Sequence, residues 1–191
     1  HRIGIILSSR LTNEDLYAAK RVFGELGVTQ VAFQRPPAGS HDDFLIQADK
    51  SPNARGAVAL TIPDGAQALL EKARRRALRV LVVFTQDLLP LFGKELVREA
   101  ASALELFAFI GTNRNPTAAL AHLVLPSAVY AEKEGTFTNC QGRVQRIHAA
   151  LDPLGEARPE WEIPAELASR LGLVVPFADP KGGMTPAGSG G

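Results

Sequence analysis

The sequence predicts an α/β fold, a doubly wound and mainly parallel sheet with helices on both faces. Three observations carry this. Short strand-like segments, mostly apolar and each too brief for a helix, recur at residues 3–7, 28–33, 79–84, 106–110 and 123–125. Stretches with apolar residues at helical spacing lie between several of them. The first such stretch opens on Thr12 with Asp15 three residues later, the signature of a helix start.

Taken in order, residues 3–7 (Ile-Gly-Ile-Ile-Leu) read as a strand buried on both faces. Thr12 is the expected N-cap of the following helix, with Leu11 stapling against Leu16. Leu16, Ala19, Val22, Phe23 and Leu26 share one face, and Gly27 closes the helix. Residues 28–33 form the second strand, stopped by Pro36-Pro37, and a β-α-β unit of this kind implies a right-handed parallel crossover. From Gly39 to Asn53 the pattern is irregular. Phe44-Leu45-Ile46 reads as either a helical turn or a strand edge, and Ser51-Pro52-Asn53 as a turn. Ala57 to Ile62 is expected to be a strand. Asp64 is expected to cap a helix through Ala77, with Leu69, Leu70 and Ala73 inward. Arg74, Arg75 and Arg76 in its last turn either oppose the negative end of the helix dipole or form a patch for an anionic partner.

Residues 79–84 (Arg-Val-Leu-Val-Val-Phe) are continuously apolar after the arginine and should be a central strand. A helix from Pro90 or Leu91 to about Ala103, a strand at 106–110, a polar loop at 111–116, a short Ala-rich helix and a strand at 123–125 complete the alternation. Beyond Pro126 the texture changes. Residues 132–139 have no periodicity, Arg143 to His148 form a mixed strand, and Pro159 or Glu160 opens a helix. That helix carries Trp161, Ile163, Leu167 and Leu171 and ends at Gly172. The organisation expected is therefore a nucleotide-fold α/β domain at 1–126, an irregular loop, strand and terminal helix packed on it at 127–178, and a flexible tail at 179–191.

Composition closes off several classes. Lys+Arg 21 against Asp+Glu 20 gives a net charge of +1, without the basic excess of a dedicated nucleic-acid binder. No apolar run approaches the ~20 residues that span a bilayer, so no direct membrane insertion is expected. The lone Cys140 forms no internal disulfide and is read as structural or incidental. His41, His122 and His148 are scattered without metal-ligand spacing, so no metal site is expected. No nucleophile–base pair is visible, and no catalytic residue is expected. The chain starts at His1-Arg2 with no initiator methionine and no signal peptide, which reads as a fragment of a larger chain.

In open α/β sheets ligands bind beyond the carboxyl ends of the strands, at a topological switch point. Ser8-Ser9, Gln34-Arg35, Thr85-Gln86-Asp87 and Gly111-Thr112-Asn113 are expected there. The glycine-rich turn of a dinucleotide site is replaced by Ser8-Ser9-Arg10, and no Gly-Lys-Ser/Thr follows any strand.

Two stretches resemble a known family. Leu123-Val-Leu-Pro126, Ala131-Glu-Lys-Glu-Gly-Thr-Phe-Thr-Asn139, Gly142-Arg143-Val144-Gln145-Arg146 and Gly155-Glu-Ala-Arg-Pro-Glu-Trp161 together are similar to one segment of the molybdopterin oxidoreductase superfamily. That superfamily includes formate dehydrogenases, periplasmic nitrate reductases and the large G subunit of bacterial NADH:quinone oxidoreductase (respiratory complex I). Leu7 to Leu16, with Ala48-Asp49-Lys-Ser-Pro-Asn53-Ala-Arg55-Gly56, resembles the complex I subunit in particular.

The resemblance implies a domain of the formate dehydrogenase/DMSO reductase type. It implies a non-catalytic structural domain of the large peripheral-arm subunit, supporting NADH-to-quinone electron transfer carried by 4Fe-4S and 2Fe-2S clusters outside this chain, with no cofactor in the fragment itself. Its partners would be the upstream part of its own subunit and other peripheral-arm subunits, with no nucleic acid. It would be cytoplasmic, held at the membrane through the complex.

The alternative is the pterin guanine dinucleotide-binding domain of an active molybdenum or tungsten oxidoreductase such as a formate dehydrogenase. Thr85, Gln86, Asp87, Asn113, Thr136 and Asn139 would then bind the molybdopterin guanine dinucleotide. Three positions depart from the pterin-binding pattern: Thr85-Gln86-Asp87 stands where relatives often have Gly-Glu-Asn-Pro, no acid follows residue 110, and His122 replaces the usual aspartate. The 132–139 loop has two readings. Its amides with Thr136, Thr138 and Asn139 line a remnant cofactor crevice, or Glu132-Lys133-Glu134 is a solvated turn with Phe137 anchoring the loop in the core.

Overall fold

The computed structural model of the chain describes residues 2–174, 176–178 and 184–186. Strands β1 (Ile3–Ser8), β2 (Gln30–Gln34), β3 (Val80–Phe84), β4 (Leu106–Gly111) and β5 (Leu123–Pro126) form one parallel sheet in the order β2-β1-β3-β4-β5. The doubly wound α/β reading of the sequence is thus met, and the apolar run at 80–84 lies at the centre of the sheet, between β1 and β4. Helix α1 (Asn13–Glu25) packs on one face with α2 (Ala54–Ala59), through Leu16, Ala19, Phe23, Ala54 and Ala57 onto Ile5, Leu7, Phe33 and Ile110. Helices α3 (Gln67–Arg74), α4 (Leu89–Phe92) and α5 (Lys94–Ala103) cover the other face, where Leu69, Leu70, Val97 and Ala100 meet Ile6, Leu81, Val83 and Phe107. The chain therefore changes faces between β1 and β3.

Thr12 caps α1 as expected. Its hydroxyl accepts the Asp15 N–H while the Asp15 carboxylate accepts the Thr12 N–H, a complete capping box. Several other elements differ from expectation. Ala57 to Ile62 is not a strand: residues 54–59 are α2. The small buried residues Ala54, Gly56 and Ala57 let this helix lie against the start of α1, and Thr61, at φ +55°, ends it. A Cβ on Gly56 would meet Asn13 Oδ1 at 2.0 Å and Asn53 Oδ1 at 2.3 Å, so the close approach needs glycine. Asp64 does not cap α3. It pairs with Arg35 at 2.6 Å and lies beside Phe33 of β2, and the helix starts at Gln67. The helix expected from 90 to 103 is broken at Gly93, φ +81°, into α4 and α5.

The fourth difference is the aperiodic stretch at 132–139, which contains strand β6 (Gly135–Thr138), paired antiparallel with β7 (Val144–Ile147). Phe137 is only half-buried in it and does not anchor a core. The last helix, α6 (Glu162–Arg170), buries Ala168 against Ala18 and Val22 of α1, with Trp161 and Ala165 beside them, and Pro164 is buried as well. The expected apolar face is thus turned: Leu167 and Leu171 are exposed. In the stretch expected as a tail, β9 (Met184–Pro186) pairs with β8 (Pro176–Ala178), and residues 179–183 and 187–191 lie outside the described residues. Among the described residues no helix is long and apolar enough to cross a membrane.

Candidate functional site

The carboxyl edge of the sheet is built from the residues that follow β1, β3 and β4. After β1, Ser8 and Ser9 are both about 1% exposed. Ser8 Oγ accepts the Arg10 N–H at 3.2 Å, the Ser9 N–H donates to the Gln34 carbonyl, and the Asn53 N–H donates to the Ser9 carbonyl. The Ser9 hydroxyl itself is buried without a hydrogen-bond partner. After β3, the Thr85 N–H donates to the Ile110 carbonyl at 2.7 Å, and Thr85 adopts φ +50°, a left-handed conformation costly for a β-branched residue. Its hydroxyl is also buried and unpartnered. Two orphaned hydroxyls therefore flank the point where the chain changes faces. A buried polar atom without a partner is destabilising unless a ligand or water satisfies it.

The remaining predicted residues divide into two groups. Gln86 makes only a local contact, its Nε2 donating to the Asp87 carbonyl at 3.3 Å, and Asn113 is exposed in the β4 turn. With Thr85 they occupy the ends of the adjacent strands β3 and β4. Asp87 sits beside them, but its carboxylate accepts the Thr117 hydroxyl at 2.6 Å, and that oxygen accepts the Leu88 N–H at 2.7 Å. Asp87 thus ties the β3 turn to the turn after β4.

Thr136 and Asn139 lie on the β6–β7 hairpin, at the start of α1. The Thr136 hydroxyl donates to Glu14 Oε1 and accepts from Asn13 Nδ2, and its N–H donates to Glu14 Oε2 at 2.8 Å. Asn139 Oδ1 accepts the N–H groups of Gln141 and Arg143, closing the hairpin turn. His122 Nδ1 accepts the Phe107 N–H at 2.9 Å, so this side chain serves the junction of β4 and β5. Among the described residues no group of three His, Cys, Asp or Glu could hold a metal ion, and Cys140 is a half-buried free thiol.

A buried charged cluster beneath this edge escaped the sequence reading. Lys133, expected in a solvated turn, is 4% exposed. Its ammonium donates to Asp15 Oδ2 at 2.7 Å and to Glu160 Oε2, with both carboxylates equally buried. Asp15 Oδ1 also accepts the Trp161 N–H, and Glu160 Oε1 accepts the Ser127 hydroxyl. The cluster thus joins α1, the loop before β6 and the start of α6. Burial alone would lower the Lys133 pKa, but the two carboxylates outweigh it and hold the ammonium well above its ordinary value. Glu160 is pushed up, by burial first and by the charge of Asp15, against the pull of Lys133. Glu134, the other acid of the turn, is paired with Arg146 on the exposed side of the hairpin and lies below its ordinary range for that reason. The local sequence cue to the cluster was Asp15, whose capping oxygen Oδ2 also accepts the Lys133 ammonium while Oδ1 takes the Trp161 N–H.

The hydroxyl and amide groups at the strand ends can bind and orient a ligand. A family model of the molybdopterin oxidoreductases matches residues 45–170, more than half of the chain. The chain belongs to the molybdopterin oxidoreductase family. It is 46% identical over 76 residues to the alpha subunit of a formate dehydrogenase from Methanococcus maripaludis, covering 40% of this chain and 11% of the relative. It is 42% identical over 84 residues to a putative formate dehydrogenase of Bacillus subtilis, covering 44% of this chain and 9% of the relative. A third relative is the alpha subunit of an NADPH-Fe(3+) oxidoreductase from Geobacter sulfurreducens, 46% identical over 77 residues, covering 40% of this chain and 9% of the relative. The matched stretch is therefore about a tenth of the length of these relatives.

Proposed function

We propose that this chain is the nucleotide-fold part of a molybdenum or tungsten oxidoreductase of formate dehydrogenase type. It would hold one guanine dinucleotide arm of the pterin cofactor across the carboxyl edge of its sheet. The observation that carries this reading is the pair of orphaned hydroxyls, Ser9 and Thr85, at the switch point of a chain in this family. The names of the relatives support the formate dehydrogenase type. The fit is partial but chemically sound. Thr85, Gln86 and Asn113 have polar groups free of strong internal bonds, and hydroxyls and amides are the groups that meet phosphate and guanine edges. Asp87, Thr136 and Asn139 would join only by giving up the bonds described above. Once bound, the metallopterin supplies the redox chemistry. This chain's part is to hold the nucleotide end and orient it from a rigid sheet. Iron–sulfur clusters and the metal's protein ligand would belong to other parts of the intact polypeptide, which would work in the cytoplasm.

A second reading is favoured by a specific observation: the polar groups of Asp87, Thr136 and Asn139 are spent inside the protein, as in a retained scaffold. On that reading the chain is a structural domain of the large peripheral-arm subunit of NADH:quinone oxidoreductase. One experiment separates them. The intact polypeptide is purified from its native host and assayed for molybdenum, tungsten, iron and guanine nucleotide released by acid. Near-stoichiometric molybdenum or tungsten with guanine nucleotide is the expected result, and Ser9→Ala with Thr85→Val should lower the nucleotide several-fold while iron holds. Iron alone in the unsubstituted protein would overturn the first reading in favour of the scaffold.

A further inference from the structure

The connection from β2 to α2 contains a loop, residues 39–50, that spends its polar groups on itself and leaves its apolar ones outside. The Asp42 carboxylate oxygen Oδ1 accepts three consecutive N–H groups, from Phe44 at 2.9 Å, Leu45 at 2.6 Å and Ile46 at 2.7 Å. The Asp42 N–H donates to the Ile46 carbonyl, and one step down the Gly39 N–H donates to the Ala48 carbonyl. Lys50 closes the base, its ammonium donating to the carbonyls of Ser40 and Gln47. The lysine arm lies close over Gly39, where a Cβ would come within 2.3 Å of Lys50 Cε and would have to displace it. At the tip Phe44 is 88% exposed, Leu45 73% and Ile46 46%.

Single exposed apolar residues are ordinary on protein surfaces, but three in a row on a turn fixed by four hydrogen bonds are not. Holding the tip in one shape removes the ordering cost that a mobile loop would meet on binding. The charges around it select among occupants. Asp42 and Asp43 flank the tip, while at the base Lys50 is committed to carbonyls of the loop and Arg35 and Arg55 act on Asp49. A loop that enters an anionic lipid surface carries lysines and arginines beside its apolar tip, and here the sign is opposite.

We infer that Phe44, Leu45 and Ile46 form a preformed plug that seats in an apolar socket of another polypeptide surface rimmed by lysine or arginine side chains. The socket lies on a different domain of the intact polypeptide, since this chain matches only about a tenth of the length of its relatives, and Asp43 meets its basic rim. This inference is independent of whether a pterin binds at the strand ends.

The test replaces Phe44 by p-benzoylphenylalanine in the intact polypeptide, purified in its native assembly, and maps the photo-adducts by mass spectrometry. The expected result is one dominant adduct within the same polypeptide, on an apolar segment with lysine or arginine within a few residues. Its yield should fall at least fivefold with Asp43→Lys, which reverses the charge at the rim. It should fall similarly with Asp42→Ala, which releases the turn while keeping all three apolar side chains. Failure of either variant to lower the yield overturns the inference. So does the absence of an adduct, adducts scattered over unrelated segments, an adduct on a different subunit or between the plugs of two copies, or Phe44-dependent sedimentation with vesicles of equal phosphatidylglycerol and phosphatidylcholine.

Discussion

Replacing Lys133 by methionine is the sharpest perturbation of the buried cluster, because it keeps the length of the side chain and deletes only the charge. The ammonium lies 2.7 Å from Asp15 Oδ2 and also bonds Glu160, and the three groups are 4%, 1% and 2% exposed. Removing one partner of a buried pair leaves an uncompensated charge and costs about 3–5 kcal/mol. In a domain of this size each kcal/mol moves the thermal midpoint by about 2–4 °C, so Lys133→Met should lower it by about 6–20 °C at pH 8. At pH 5.5 the loss should be smaller, because the Glu160 carboxyl, already pushed up by burial, then takes a proton and removes one of the stranded charges. Circular dichroism melting at the two pH values reads both effects. A fall of less than about 2 °C at pH 8 would mean that the cluster is worth no more than a surface pair, and the reasoning would be wrong.

Glu160 gives the same cluster a pH signature. Its carboxyl is pushed up to about 7 in the folded protein, by burial and by Asp15, from an ordinary value of 4.5. A raised folded-state pKa favours the protonated form, so the stability it contributes is complete below 4.5 and is lost as the pH rises through about 7. The window is worth roughly 3 kcal/mol by linkage. Glu160→Gln should therefore show a flatter midpoint between pH 5 and pH 8 than the unsubstituted protein, and an unchanged slope would rule out Glu160 as the titrating group. Gly135→Ala would place a Cβ 2.8 Å from Thr12 Cγ2, and it should cost about 1–3 kcal/mol by overpacking, with faster amide exchange in β6. Asn53→Ala removes the acceptor of the buried Thr138 N–H and the donor to the Leu11 carbonyl, and a loss of about 1–3 kcal/mol is expected in chemical denaturation. Thr85→Gly relieves the left-handed backbone and should stabilise the fold by about 1 kcal/mol while lowering guanine nucleotide retention in the intact polypeptide.

What could be read from the sequence was what is local or continuous. The Thr12–Asp15 capping box needs only a spacing of three, and the β3 run is apolar at every position, so both were legible. The α2 segment was misread because a short run such as Ala-Val-Ala-Leu has the same apolar content as helix or strand. Buried neighbours that tolerate only Gly56 decide it. Strand β6 was missed for the opposite reason. Thr136 and Thr138 alternate toward polar partners, Asn13, Glu14 and Asn53, and hydrophobic periodicity cannot register a face that is polar on the inside. Lys133 joins residues 118 and 27 positions away, and a buried charge looks like a surface charge until the fold assembles its partners. At the candidate site the positions of Thr85, Gln86 and Asn113 followed from the strand ends. That Asp87 is engaged by Thr117 did not, since the bond spans two separate turns.

The buried cluster and the candidate ligand edge are mechanically one unit, and this gives the family likeness a physical content. The Asp15 carboxylate takes the Thr12 N–H, the Lys133 ammonium and the Trp161 N–H together. Asn53 donates to the Leu11 carbonyl, accepts from Thr138, and bonds the Ser9 carbonyl through its own N–H. The turn from Ser9 to Thr12, with its orphaned hydroxyl, is therefore shaped at both ends by residues between 53 and 161. A ligand that satisfied Ser9 would be meeting a surface set by that distant segment. The two kinds of variant should consequently separate. Lys133→Met loosens the turn and should lower both the thermal midpoint and nucleotide retention, whereas Thr85→Gly should lower retention with the midpoint preserved or raised. If Lys133→Met melted early yet kept its full complement of nucleotide, the cluster would hold the fold without shaping the edge, and the ligand would have to be read from the β3 and β4 turns alone.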